Sequence, residues 1–325
     1  MEIIIIGTGN WGSTLAGLVN PEVPVRLWCE REEYVGPVRR LLPDVAGTAR
    51  RRITVETAFC RRSAPDDVVL VAVPSSQVAA VARRMAESCP PDVTVVTASK
   101  GLERATFRTM SQVIAAILPQ ARVAVLSGPN IAREIAAGRP AKAMLGCEDV
   151  HTLLRVAAAL RSDRFHLDMT RETVDLELCG AMKGVFAIGA GVIHARGMGS
   201  NFMGLLLTFG LHEITCIARF LGISRAHVFG IAGLGDLVTT CFSPDSRNFR
   251  LGELLATGAT LEQALSEVQM VVEGAMTAAA VAEMAALRLP LPLFGAIAGI
   301  VERPGEDSVR HLERTLLEYP SVALA

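Results

Sequence analysis

Lys183 stands in the stretch ELCGAMKGV, residues 177 to 185, as the one cation among small and apolar neighbours. A buried ammonium is unfavourable unless it is paired or used, so this residue is either a lysine that snorkels to solvent or a chemical group. Further polar residues of chemically useful types occur in TASKGLE, with Lys100, in LSGPN, with Asn130, and in GLGDLVTTCFSPDSRN, with Asp236, Thr240, Arg247 and Asn248. A lysine in a dry cleft can supply both a proton and a positive charge to an oxygen on which negative charge develops. Arginine suits a phosphate, because its planar fork donates two hydrogen bonds in fixed geometry. Each stretch also has a plain structural reading: a lysine at a strand end is often a surface residue, and SRN is often a helix cap.

Near the start, Gly7, Gly9 and Gly12 form G-x-G-x-x-G directly after four isoleucines and before STLAGLV, which begins a helix. Strand, glycine turn and helix are what pyrophosphate binding requires, since the turn must be tight, the backbone must approach the ligand and a helix N-terminus must face it. Glu30, at the end of VRLWCE, stands where a carboxylate would accept hydrogen bonds from the adenosine ribose. An acid there repels a 2'-phosphate and favours NAD, whereas the adjacent Arg31 could clamp that phosphate, which keeps NADP as the alternative.

These residues need elements to position them. Short runs rich in Val and Ile (EIIIIG, PVRLWCE, DDVVLVAVP, DVTVVTASK, ARVAVLSGP) alternate with helical segments such as SSQVAAVARRMAES and TFRTMSQVIAAILP. Continuous apolar runs indicate strands covered on both faces, so the first part is expected to be an α/β unit with a parallel, doubly wound sheet. AKAMLGC and RFHLDMT would extend it. From about Glu172 the pattern becomes helical throughout, as in LEQALSEV and MTAAAVAEMAALR. The expected division is a dinucleotide-binding domain over residues 1–170 and an all-α substrate domain over residues 171–325, joined stiffly, with a cleft at the junction.

Composition narrows the partners. The chain has 325 residues, half of them apolar and a fifth charged, with a formal net charge of -1. That balance argues against nucleic acid. Cysteines 29, 60, 89, 147, 179, 216 and 241 are scattered without a CxxC pair, so no disulfide framework and no metal site are expected, and a cytoplasmic location fits. The apolar start lacks a basic leader, and no segment reaches the roughly 20 uninterrupted apolar residues of a membrane helix, so no membrane insertion is expected. GVFAIGAGVI reads as a core helix.

In this order, GTGNWGSTLA, VAVPS, SKGLE, LSGPNIAREIA, ELCGAMKGVFAIGAGV, GLGDLVTTC, SRN and VVEGAMTA resemble the bacterial type of NAD(P)-dependent glycerol-3-phosphate dehydrogenase over nearly the full length. The resemblance implies a Rossmann domain followed by a helical substrate domain, and reversible reduction of dihydroxyacetone phosphate to sn-glycerol 3-phosphate by hydride transfer from NAD(P)H. It makes Lys183 the catalytic acid/base with Asp236 close by, and lets Lys100 contact both substrate and cofactor. Arg247 and Asn248 would hold the phosphate, with Thr240, Ser246 and Asn130 on the substrate side. Asn10 and Trp11 would lie beside the cofactor in the glycine loop, and Glu273 near its nicotinamide half. In a helix, Cys179, Gly180 and Ala187 share a face with Lys183, so little bulk would stand between the amine and a ligand. Dimerisation through the helical domain is common in this architecture, and a homodimer is expected.

Two positions depart from the family pattern. Gly184 replaces an asparagine that usually follows the catalytic lysine, and Phe209, in NFMGLLLTFGLHE, replaces an arginine, while Asn201 is retained. These departures admit another small phosphorylated carbonyl or hydroxy compound, in a specialised biosynthetic pathway, as the substrate. A reading of a different class is a non-catalytic dinucleotide sensor, which the intact charged residues disfavour.

Overall fold

A computed structural model of the chain describes residues 1–42, 53–59, 64, 66–104, 106–285 and 289–320. Along it run β1 (Ile3–Ile6), α1 (Asn10–Leu18), β2 (Val25–Trp28), α2 (Glu32–Leu41), β3 (Ile53–Glu56), β4 (Val68–Val71), α3 (Ser75–Ser88), β5 (Thr94–Thr97), α4 (Met110–Ile117), β6 (Arg122–Ser127), α5 (Ala132–Ala136), β7 (Ala141–Cys147), α6 (Val150–Leu160) and β8 (Phe165–Thr170). Helices follow: α7 (Val174–Ala195), α8 (Gly199–Phe220), a π-helical turn (Ile231–Gly235), α9 (Asp236–Phe242), α10 (Arg247–Ala256), α11 (Leu261–Val268), α12 (Glu273–Ala285), α13 (Pro292–Glu302) and α14 (Glu306–Leu317). The chain folds as two compact units, residues 1–100 with 108–174, and residues 101–107 with 175–325.

In the first unit, eight strands form one sheet in the order β3-β2-β1-β4-β5-β6-β7-β8. All four isoleucines of β1 are buried, and they alternate between two cores: Ile3 and Ile5 face one side of the sheet, Ile4 and Ile6 the other. That is the period-two pattern of a strand covered on both faces, each side chain contributing about 1.5–3 kcal/mol of burial. The chain leaves β1 toward β2 and β3, then crosses back to β4 on the opposite side. Strand order therefore reverses at β1 and β4, which opens a crevice beyond their carboxyl ends.

The sheet is mixed rather than wholly parallel. β7 runs antiparallel to β6, and β8 parallel to β7. A parallel return needs a crossover as long as the strand it spans. α5 has only five residues, about 8 Å of helix, against about 20 Å for the six residues of β6, so the chain turns back instead. β3 was not anticipated from the sequence. It is an edge strand of four residues with one of them buried, so it lacks the continuous apolar run that marks its neighbours.

In the second unit, α7 is the central helix. Every residue from Asp175 to Ile193 is buried except Lys183, and an all-round apolar helix belongs in a core. α7 and α8 are long and apolar enough to cross a membrane by length and composition, yet 94% of the α7 window lies buried inside the fold. GVFAIGAGVI is thus a core segment. Cys60 and residues 286–288 of the sequence motifs lie outside the described residues.

Glu213 ties α8 to the end of the chain. Fully buried, it accepts the backbone N–H of Leu293 at 2.7 Å and of Phe294 at 2.8 Å, and the Tyr319 hydroxyl at 3.1 Å. The carboxylate thus satisfies the first turn of α13, where a helix favours negative charge. Burial still pushes its pKa up to about 7, against the pull of those three donors.

Candidate active site

In the first unit, the glycine turn works by leaving side chains out. Gly7 has φ +120, and a Cβ there would stand 2.4 Å from the Ala72 carbonyl oxygen; a Cβ on Gly12 would stand 1.8 Å from the Gly7 carbonyl oxygen. Neither position admits another residue without moving the backbone. Gly9 has open space where a Cβ would go, and it begins α1 without any side-chain cap on the first helical N–H groups. Asn10 is exposed and Trp11 partly buried in the same turn. An open backbone approach, an uncapped helix N-terminus and a tight turn at the switch point fit a dinucleotide pyrophosphate.

Glu30 and Arg31 are exposed at the end of β2. Arg31 reaches Glu33 at 3.4 Å and lies 5.9 Å from the Tyr34 ring centroid. At the ends of β5 and β6, Lys100 Nζ donates to the Gly128 carbonyl at 3.1 Å. Two residues further, the Nδ2 and Oδ1 atoms of Asn130 are buried with no hydrogen-bond partner among the described residues. An orphaned carboxamide is destabilising by about 1–3 kcal/mol for each unsatisfied group, and at the carboxyl end of β6 it fits a polar ligand.

In the second unit, Lys183 Nζ lies 2.5 Å from Asp236 Oδ1, with side-chain exposures of 14% and 1%. α7 presents the lysine, and the π-helical turn delivers Asp236 at the first position of α9. Irregular helix of this kind often marks a functional position. Thr240, one turn on, donates its hydroxyl to the Asp236 carbonyl at 2.7 Å, so here it acts as a backbone brace. Cys179 and Cys241 are buried thiols whose pKa values burial raises to about 12. Neutral sulfur near the ion pair keeps it in apolar surroundings, where its electrostatic influence is strongest.

The SRN motif proves to be a helix cap that also carries one cation. Ser246 caps α10 by accepting from Phe249 N at 3.3 Å, and Arg247 and Asn248 occupy the first turn. Arg247 is exposed, with one nitrogen donating to the Val271 carbonyl at 2.9 Å. Its crowded surroundings lower its pKa from the ordinary arginine value, and the Glu273 carboxylate opposes that shift. Asn248 Oδ1 accepts from Gly274 N at 2.9 Å, which joins the first turn of α10 to that of α12. The fold thereby gathers Lys183, Asp236, Thr240, Ser246, Arg247, Asn248 and Glu273 into the helical unit, and Gly7, Gly9, Asn10, Trp11, Gly12, Glu30, Arg31, Lys100 and Asn130 into the sheet unit. Sequence reading missed Gly128, a turn glycine at φ +130 whose carbonyl holds Lys100, and Gly274, whose N–H holds Asn248. Both stand within the motifs LSGPN and VVEGAMTA, but only as glycines.

The two departures are placed differently. Phe209 stacks on Tyr319 with ring centroids 4.1 Å apart and an interplanar angle of 7°. Gly184 instead meets α12 beside Lys183: a Cβ there would be 2.9 Å from Gly274 Cα.

A glycine turn at the switch point of a doubly wound sheet, followed by a helical unit with a lysine–aspartate pair, fits an NAD(P)-linked oxidoreductase. The model for the NAD-dependent glycerol-3-phosphate dehydrogenase N-terminus matches residues 2–153, and that for the C-terminus matches residues 172–308. The glycerol-3-phosphate dehydrogenase [NAD(P)+] of Rhodospirillum rubrum is 36% identical over 98% of this chain and 93% of its own, and that of Mycobacterium avium 35% identical over 87% and 85%. The crystal structure of the Coxiella burnetii glycerol-3-phosphate dehydrogenase superposes with a TM-score of 0.85 at 27% identity, covering 96% of this chain and 98% of that one. The chain belongs to the NAD-dependent glycerol-3-phosphate dehydrogenase family.

Proposed function

We propose that this protein interconverts dihydroxyacetone phosphate and sn-glycerol 3-phosphate with Lys183 as the acid/base. The observation that carries the reading is Lys183 itself: it is the one residue not buried between Asp175 and Ile193, and its ammonium is paired with Asp236. When bound, the nicotinamide supplies the hydride. Lys183 gives its Nζ proton to the carbonyl oxygen as the ketone becomes the secondary alcohol, and takes it back in the reverse direction. Asp236 orients that amine, with Thr240 bracing the helix turn that carries it. Arg247 and Asn248 hold the phosphate, with Ser246 beside them, so binding energy remote from C2 orients the reacting carbon.

On the sheet unit, Gly7, Gly9, Asn10, Trp11 and Gly12 hold the pyrophosphate, and Glu30 accepts from the adenosine ribose, which favours NAD. Arg31 leaves NADP as the second cofactor. Lys100 contacts both substrate and cofactor, Asn130 meets the substrate with its orphaned amide, and Glu273 serves the nicotinamide half. The division of labour is a dinucleotide-binding domain over residues 1–170 and a helical substrate domain over residues 171–325. A homodimer in the cytoplasm is the working form, and light scattering should return twice the mass of one chain.

The stacking of Phe209 on Tyr319 supports reading that position as packing, so it gives no reason to prefer another phosphorylated carbonyl compound. Reduction with nicotinamide deuterated at C4 tests the reaction: dihydroxyacetone phosphate should yield glycerol 3-phosphate with one deuterium on C2. Cofactor binding without deuterated product would contradict the reading.

A further inference from the structure

Three charged residues of the helical unit each have a neighbour in one tight junction. Lys183 precedes Gly184, Arg247 precedes Asn248, and Glu273 precedes Gly274. A Cβ on Gly184 would stand 2.9 Å from Gly274 Cα and 3.2 Å from Asn248 Nδ2; one on Gly274 would stand 2.4 Å from the Gly184 carbonyl oxygen and 2.6 Å from Asn248 Oδ1. Here α7 and α12 touch backbone to backbone, and the Asn248 amide fills the remaining corner.

We propose that Gly184 and Gly274 are positioning residues, which lock the Asn248 amide and through it set Lys183, Arg247 and Glu273 relative to one another. The inference rests on the roles given above to Lys183, Arg247 and Asn248. Because Gly274 N–H donates to Oδ1 at 2.9 Å, the amide orientation is determined: Nδ2 is the donor end, on the side of Gly184. α10 also has a backbone contact with α7, where a Cβ on Gly191 would meet the Phe249 carbonyl oxygen at 2.0 Å and one on Gly252 the Ile188 carbonyl oxygen at 2.0 Å. That contact holds the body of α10, so a change at Gly184 acts on its first turn.

A side chain at position 184 has no room unless α12 moves, and the amide of Asn248 already occupies the adjoining space. Restoring the family residue by Gly184→Asn should therefore reduce turnover.

The test compares Gly184→Ala with the unaltered protein. A displaced anchor a few tenths of an ångström away from its place should lower the preference in kcat/KM for dihydroxyacetone phosphate over unphosphorylated dihydroxyacetone by about tenfold or more. Inorganic phosphate, titrated calorimetrically, should bind correspondingly more weakly, and because α12 must move to admit the methyl group the melting temperature should fall as well. An unchanged preference with unchanged phosphate affinity would overturn the proposal, as would equal losses on both substrates. If the unaltered protein does not turn over dihydroxyacetone phosphate, the proposed function fails on its own, and the phosphate titration still decides the junction. Should Gly184→Ala fail to fold, amide hydrogen exchange on the unaltered protein serves instead: the Gly274 N–H should be protected like the core of α7, and exchange as fast as an exposed loop would refute the lock.

Discussion

At the end of β1 the polypeptide prepares for a ligand by omission, whereas around α7 it does so by fixing charges. Gly7 and Gly12 allow two backbone segments to touch, and Gly9 leaves its surroundings open. Around α7, these polar and charged groups have defined partners: Lys183 has Asp236, Arg247 has the Val271 carbonyl, and Asn248 has the Gly274 N–H. The first region can recognise a phosphate with main-chain atoms alone and carries little chemistry. In the proposed reaction the second would supply proton transfer and anion anchoring, which demand side chains held in one arrangement.

Mutations should separate the two regions. Lys183→Met should lower kcat by roughly 10²-fold or more while NADH still binds, measured by initial rates beside a fluorescence titration. Arg247→Ala removes charge-assisted hydrogen bonds worth about 1.5–3 kcal/mol each, so kcat/KM for the phosphorylated substrate should fall by about 10²-fold, with partial recovery in Arg247→Lys. Gly12→Ala acts on the other region: it should weaken NADH binding by about tenfold or more and lower stability by about 1–3 kcal/mol, with both cofactors affected alike. Glu30→Ala should shift the NADH to NADPH preference by no more than about fivefold, as expected of an exposed charge.

The smallest effect on turnover is expected at Glu213, which lies in the packing of α8, α13 and Tyr319. Its folded pKa of about 7 exceeds the ordinary 4.5, so the native state holds a proton that the unfolded state has released between those values. Stability from this group is full below about pH 4.5 and is lost as pH rises through about 7, a change of about 3 kcal/mol. Urea midpoints from pH 5 to 8 should show that decline in the unaltered protein and a flatter profile in Glu213→Gln.

The contrast between the regions also explains which features are legible in the amino-acid sequence. A glycine turn is local: its residues are consecutive, its strand and helix flank it, and spacing alone announces it. The strands β1, β4, β5 and β6 are legible for the same reason, as continuous apolar runs. The partner of Lys183 is 53 residues away, and no periodicity connects the two, so only family resemblance joins them. The antiparallel turn at β7 is hidden because it depends on the shortness of α5, and β3 because an edge strand needs few apolar residues. The meaning of Gly184 is likewise invisible along the chain, since its reason lies on α12.

Whether Lys183 and its neighbours form a working dehydrogenase is decided by the loss of reduced-nicotinamide absorbance on adding dihydroxyacetone phosphate, run in parallel with NADH and NADPH. Fast turnover is expected, greater with NADH, together with far slower reaction of unphosphorylated dihydroxyacetone. Demonstrable binding of either cofactor without any turnover of dihydroxyacetone phosphate would contradict the assignment.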